Sequence, residues 1–147
     1  MSGLSKWDHR FMAIAKDVTS WSKDPAGGVG CLLVSPDKRQ VSWGYNGFPA
    51  GIPDNYEGLS REAKNRLTLH AEDNALANAP CSVHGWTLYT TKAPCFECCK
   101  RIIQNRIALV VRPPITDLST WYADQREGAK LLMQAGVRQL VDGKDQA

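Results

Sequence analysis

Two short segments constrain this chain more than anything else in it: His70-Ala71-Glu72 and, about two dozen residues later, Pro94-Cys95-Phe96-Glu97-Cys98. Imidazole and thiolate are ligands that zinc accepts, and a catalytic zinc site takes three protein ligands and keeps a fourth position for water. His70, Cys95 and Cys98 supply three, so whatever fold the chain adopts has to bring the two segments together. Glu72, two residues from His70, has no place in a site that only staples loops. Such a staple needs a fourth protein ligand, for which Cys81, His84 and Cys99 are available.

Both ligand segments read as the first turn of a helix, where free backbone N–H groups and the helix dipole favour thiolate over thiol. Cys98 and Cys99 follow Cys95 by three and four residues, and either spacing can reach a common metal. At about 100° per residue, Cys99 falls on the face of Ile102 and Ile103, and Cys98 lies roughly 90° to one side. That assigns Cys98 to the metal and Cys99 to the core, where free cysteines commonly sit. Cys31 in an apolar strand and His9 on a helix face read as structural.

With 147 residues, 43% of them hydrophobic, residues 1–147 are expected to form one domain with its own core. Five cysteines, two of them adjacent, suit metal binding in a reducing compartment better than a disulfide framework. Neither a secretory leader nor an apolar run of membrane-spanning length is visible, and the expected location is the cytoplasm. A formal charge of +3 without a basic block argues against a long polyanion as partner.

Apolar residues recur at helical spacing from Trp7 to Trp21. Val29 to Val34 is a near-continuous apolar strand, and Pro36-Asp37-Lys38-Arg39 turns it into a second, Gln40 to Tyr45. Glycines and prolines make Gly44 to Pro53 a loop. Short helices follow at Ser60–Arg66 and from His70 to Pro80. Strand, helix, strand, helix, strand then alternate over Trp86–Thr90, Cys95–Asn105, Ile107–Val111, Ser119–Ala135 and Val137–Val141. Helical crossovers between the last three strands require parallel pairing, so the expected architecture is three-layer α/β/α on a five-stranded mixed sheet.

The His-x-Glu and Pro-Cys-x-x-Cys pair is the signature of the zinc deaminases that act on nucleobases. Finer matches are Trp7-Asp8 with Phe11-Met12, Ser22-Lys23-Asp24-Pro25 before Val29-Gly30, Gly44-Tyr45-Asn46-Gly47-Phe48-Pro49, and Arg61-Glu62 with Lys64 ahead of the histidine. With these, nearly the whole chain resembles the deoxycytidylate (dCMP) deaminases of viral and bacterial type. The resemblance implies the cytidine-deaminase fold, one Zn²⁺ on His70, Cys95 and Cys98, and Glu72 as proton shuttle. It also implies hydrolysis of dCMP to dUMP for thymidylate synthesis, with Asn46 and Ala71 at the substrate.

An asparagine amide suits a sugar hydroxyl, and Asn46 before Gly47 also reads as a turn residue tolerating positive φ. Lys23, Arg61 and Lys64 are the candidate phosphate cations, the last two one helical turn apart on one face. By the same resemblance, Gly44, Tyr45, Asn46 and Gly47 contribute to an effector site for dCTP and dTTP in a homo-oligomer, commonly a hexamer. Mg²⁺ would accompany a bound triphosphate. The span from Gly51 to Leu69 lacks cysteine and histidine, so no second protein-bound metal is expected. Sequence leaves dCTP open as a substrate beside or instead of dCMP. Two further readings are a base deaminase of RNA or single-stranded DNA and a non-catalytic zinc-stapled module. The polymer reading calls for stacking aromatics, whereas Trp7, Trp21 and Trp86 sit in patterns typical of core.

Overall fold

The computed structural model describes residues 3–143. Met1, Ser2 and 144–147, the ends of the expected domain, lie outside the described residues. Helix α1 (Lys6–Thr19) precedes the hairpin β1 (Gly30–Val34) and β2 (Val41–Tyr45), then helices α2 (Arg61–Leu67) and α3 (Ala71–Asn78). Next come β3 (Thr87–Thr90), α4 (Phe96–Gln104), β4 (Leu109–Arg112), α5 (Tyr122–Gln134) and β5 (Arg138–Val141). The sheet order is β2-β1-β3-β4-β5, with β1 antiparallel to both neighbours and β3, β4 and β5 mutually parallel. This is the expected mixed sheet.

β1 is buried along its whole length, which is why it reads as an unbroken apolar run. Leu32 and Val34 pack with Tyr89 and Val111 under Phe11, Met12 and Ala15 of α1. Cys31 and Leu33 point the other way, joining Leu88 and Val110 beneath Ala71 and Ala75 of α3, Cys99 and Ile102 of α4, and Leu132 of α5. One helix thus covers one face and three cover the other. α1 is fixed at its start by a capping box, Ser5 Oγ accepting from the Asp8 N–H and Asp8 Oδ2 from the Ser5 N–H. The Tyr89 hydroxyl donates to Asp8 Oδ1 at 2.7 Å and ties the cap to β3.

The edge strand β2 alternates, burying Ser42 and Gly44 under α3 and exposing Val41, Trp43 and Tyr45. Asparagines of α3 cover its carbonyl groups: Asn74 donates to the Tyr45 carbonyl at 2.7 Å and Asn78 to that of Trp43 at 2.9 Å. The expectation that Trp7, Trp21 and Trp86 are core holds only for Trp86. Trp7 is 41% exposed and Trp21 49% exposed, because the first lies in the opening turn of α1 and the second beyond its end. Trp7 stacks on Phe11 under Arg10, and Trp21 meets Trp43 and Tyr45 edge-on.

α3 runs so close to β2 that a Cβ at Gly44 would collide with the Ala71 carbonyl oxygen and the Ala75 nitrogen. Gly44→Ala is expected to cost about 1–3 kcal/mol, as overpacking does. Urea denaturation should show a lowered midpoint at unchanged slope.

Candidate metal centre

His70 and Cys95 are N-cap residues, of α3 and α4 respectively. The His70 ring makes no capping hydrogen bond and is left to face the cysteines, whereas Cys95 Sγ accepts from the Cys98 N–H. His70 is led to its position by the loop after β2: Gly47 and Leu69 exchange two backbone hydrogen bonds, of 3.1 and 2.8 Å, one residue ahead of it.

His70 Nδ1 lies 3.3 Å from Cys98 Sγ and 3.5 Å from Cys95 Sγ, and all three ligand atoms fall within 4.8 Å of one another. A tetrahedral zinc with bonds of 2.0–2.3 Å separates its nitrogen and sulfur ligands by about 3.6 Å. The two nitrogen–sulfur separations therefore fit that ion. Among the described residues this is the one His/Cys/carboxylate group so converged. Cys81 and His84 are exposed and outside it, and among the described residues no fourth protein ligand joins the group to complete a staple. Cys99 is fully buried in the α3/α4/α5 core, as its helical angle predicts.

The two ligand cysteines respond in opposite directions. The Cys98 thiol and N–H donate to Cys95, and His70 adds a further hydrogen bond, which outweighs partial burial and lowers Cys95 to about 4. Cys98 is raised because its proton is held by Cys95 and because it is buried. His70 is raised chiefly by its hydrogen bond to Cys95. A divalent cation between them turns both thiols into thiolates, coupling metal affinity to pH. Glu72 is 4% exposed and stands outside the converging ligand atoms. Burial raises its carboxyl to about 7.

The other sequence candidates divide. Lys64 turns inward, its Nζ 2.7 Å from Asp24 Oδ1, with side-chain exposures of 11% and 5% for the pair. Arg61, although on the same helix, is exposed and has no ion-pair partner among the described residues. Lys23 is exposed and pairs with the exposed Asp54 at 3.1 Å. Asn46 is buried, and its Oδ1 accepts from the Val29 N–H at 2.8 Å. Its amide donates to the Gly27 carbonyl at 3.2 Å and to Asp24 Oδ2 at 3.4 Å.

The positive-φ reading of Asn46 is corrected: outside glycine, positive φ falls at Lys38 and Arg106 among the described residues. The asparagine is required by side-chain hydrogen bonds to the 24–29 turn rather than by a left-handed backbone. Gly44, Tyr45, Asn46, Gly47 and Lys23 border a cavity of about 380 Å³. The metal ligands do not line it. Ala71 is fully buried.

Residues 5–112 match the family described as "Cytidine and deoxycytidylate deaminase zinc-binding region". The chain belongs to that family. It is 40% identical over 136 residues to "Uncharacterized deaminase in luxG 3'region" of Aliivibrio fischeri, covering 91% of this chain and 92% of that protein. It is 38% identical over 142 residues to the deoxycytidylate deaminase of Homo sapiens, covering 90% and 77%. Among solved structures, the dCMP deaminase of cyanophage S-TIM5 in complex with dCMP and dUMP superposes with a TM-score of 0.78 at 26% identity, covering 96% of this chain and all of that one. The fold is that of the cytidine deaminases.

Cys98→Ser is expected to lose zinc, and Glu72→Ala to keep zinc and fold, with metal content read by elemental analysis. Cys99→Ser should lower the melting temperature without changing metal content.

Proposed function

We propose that the chain hydrolyses dCMP to dUMP and ammonia. The observation that carries this reading is the three-ligand convergence of His70, Cys95 and Cys98 beside a buried carboxyl that is not itself a ligand. The likeness to named deoxycytidylate deaminases supports the substrate. Zinc, when bound, supplies the Lewis acidity that brings a water to a pKa of about 7. Glu72 would take a proton from the attacking water and deliver it to N3 of the cytosine ring as the oxygen adds to C4. The same carboxylate would then take the proton left on the added oxygen and hand it to the amine as the C4–N bond breaks, so that water and cytosine become uracil and ammonia. A carboxyl raised to about 7 by burial is matched to both directions of transfer.

For the phosphate, Lys23 is the cation we assign. Its pair with Asp54 is solvent-exposed and worth little, so a phosphate displaces it readily. Lys64 is held in a buried pair whose disruption costs about 3–5 kcal/mol, which makes it a structural cation. Arg61 remains as an exposed second charge.

Residues 1–147 act in this reading as one deaminase domain in a reducing, cytoplasmic setting, with all five cysteines free. Among the described residues no helix is long and apolar enough to cross a membrane. The exposed Val41, Trp43 and Tyr45 face of the edge strand favours a homo-oligomer, hexameric as the resemblance implies. The cavity over Gly44–Gly47 favours dCTP or dTTP as effectors. Nothing observed supports Mg²⁺. The exposed aromatics remove one argument against a polynucleotide substrate, while the low net charge keeps the other.

Purified enzyme given dCMP, dCTP and deoxycytidine in parallel should release ammonia fastest from dCMP; fastest turnover of the free nucleoside would overturn the phosphate assignment. Lys23→Gln should raise KM for dCMP several-fold and leave deoxycytidine unchanged. An unaltered KM with a lost response to dCTP would move Lys23 from the substrate phosphate to the effector cavity that it borders.

A further inference from the structure

The loop that carries Cys95 is held by a helix from a distant part of the chain. The Phe96 N–H, the first free donor of α4, points at Asp124 Oδ2, 2.9 Å away. Gln125, 4% exposed, donates its amide to the Ala93 carbonyl at 3.1 Å. At Gly128 a Cβ would come within 2.8 Å of Cys99 Sγ, 3.3 Å of the Pro94 oxygen and 3.5 Å of the Cys95 carbonyl carbon. Lys92 lies 5.4 Å from the Trp121 ring centroid, just ahead of the helix. Each residue from 92 to 96 is thus met by the segment Trp121–Gly128.

We infer that the first two turns of α5 are a template for the metal-ligand loop, with Asp124, Gln125 and Gly128 as positioning residues that set where Cys95 meets His70 and Cys98. The division of donors at the start of α4 supports this. Asp124 takes the Phe96 N–H, so the Cys98 N–H is left to Cys95 Sγ at 3.4 Å and points the sulfur at the histidine. Glycine inside a helix is locally unfavourable, and Gly128 sits where the helix meets the loop backbone. A buried glutamine amide at the same contact is equally unneeded for apolar packing, and it fixes one carbonyl two residues before the ligand. No residue of α5 belongs to the converged ligand group, so the action is through geometry.

This inference rests on the zinc reading of the site, and the test separates the two. Zinc-loaded wild type and variants are challenged with the chelator 4-(2-pyridylazo)resorcinol, and cobalt-substituted samples report ligand geometry through their thiolate charge-transfer and d–d bands. Asp124→Ala and Gly128→Ala should bind zinc about 10–100-fold more weakly, the loss in affinity typical when residues behind metal ligands are changed, and should release it faster and shift the cobalt spectrum. Asp124→Asn keeps an acceptor oxygen and should stay close to wild type. Gly128→Ala combined with Cys99→Ala removes the nearest clashing atom and should recover slow release. Ser5→Ala, which deletes the local cap on α1, should lower the melting temperature and leave zinc release unchanged. Variants that melt earlier yet release zinc and absorb like wild type would overturn the template alone; wild type that binds no zinc would overturn the metal reading and the template with it.

Discussion

Two helix N-termini facing one another are the constraint on which the rest of the structure depends. α3 and α4 each begin at a ligand, and each offers unsatisfied N–H groups and the positive end of a dipole to the space between them. That arrangement stabilises thiolate at Cys95 and leaves the His70 ring free of capping duty. The sheet order makes it geometrically available. α4 follows β3 in the middle of the sheet, and α3 crosses the same face beside it over β1 and β2. Glycine at position 44 lets α3 approach, and the Gly47–Leu69 pairing delivers the chain to His70. The glycine-rich loop therefore does structural work for the metal site before any ligand is considered.

Periodicity and turn chemistry made the architecture legible because the elements conform to them. β1 is apolar throughout because both faces are covered, and the parallel pairing of β3, β4 and β5 follows from the helices that separate them in sequence. The boundaries shift by a few residues where a turn precedes the helix, as at Ser119 to Trp121 before α5. The candidate ligand group was legible because spacing admits both Cys98 and Cys99 beside Cys95, and the helical angle sends Cys99 into the core.

What sequence concealed are contacts between segments far apart in the chain. Lys64 and Arg61 share a helical spacing, yet only Lys64 finds Asp24, forty residues away, and nothing local announces it. Asn46 reads as a turn residue, whereas its amide closes the 24–29 turn from across the hairpin. Trp21 completes an apolar helical pattern but lies past the end of α1, where no layer covers it. Asp124, Gln125 and Gly128 are three ordinary helix residues until the loop they grip is in view.

The charge balance of the site also links its chemistry to its stability. Cys95 and Cys98 as thiolates and Glu72 as carboxylate would place three negative groups in a partly desolvated space, and His70 alone cannot offset them. Burial answers this for Glu72 by raising it to about 7, so that it holds a proton part of the time. For the cysteines the answer is a divalent cation, which stabilises the fold to the extent that it binds the converged ligands of the folded chain more tightly than the unfolded chain. The removal from water that would suit Glu72 to the proposed proton transfer near neutrality is the same feature that would make the surrounding thiolates depend on a metal. Under the proposed mechanism, catalytic readiness and metal-dependent stability are one physical property seen from two residues.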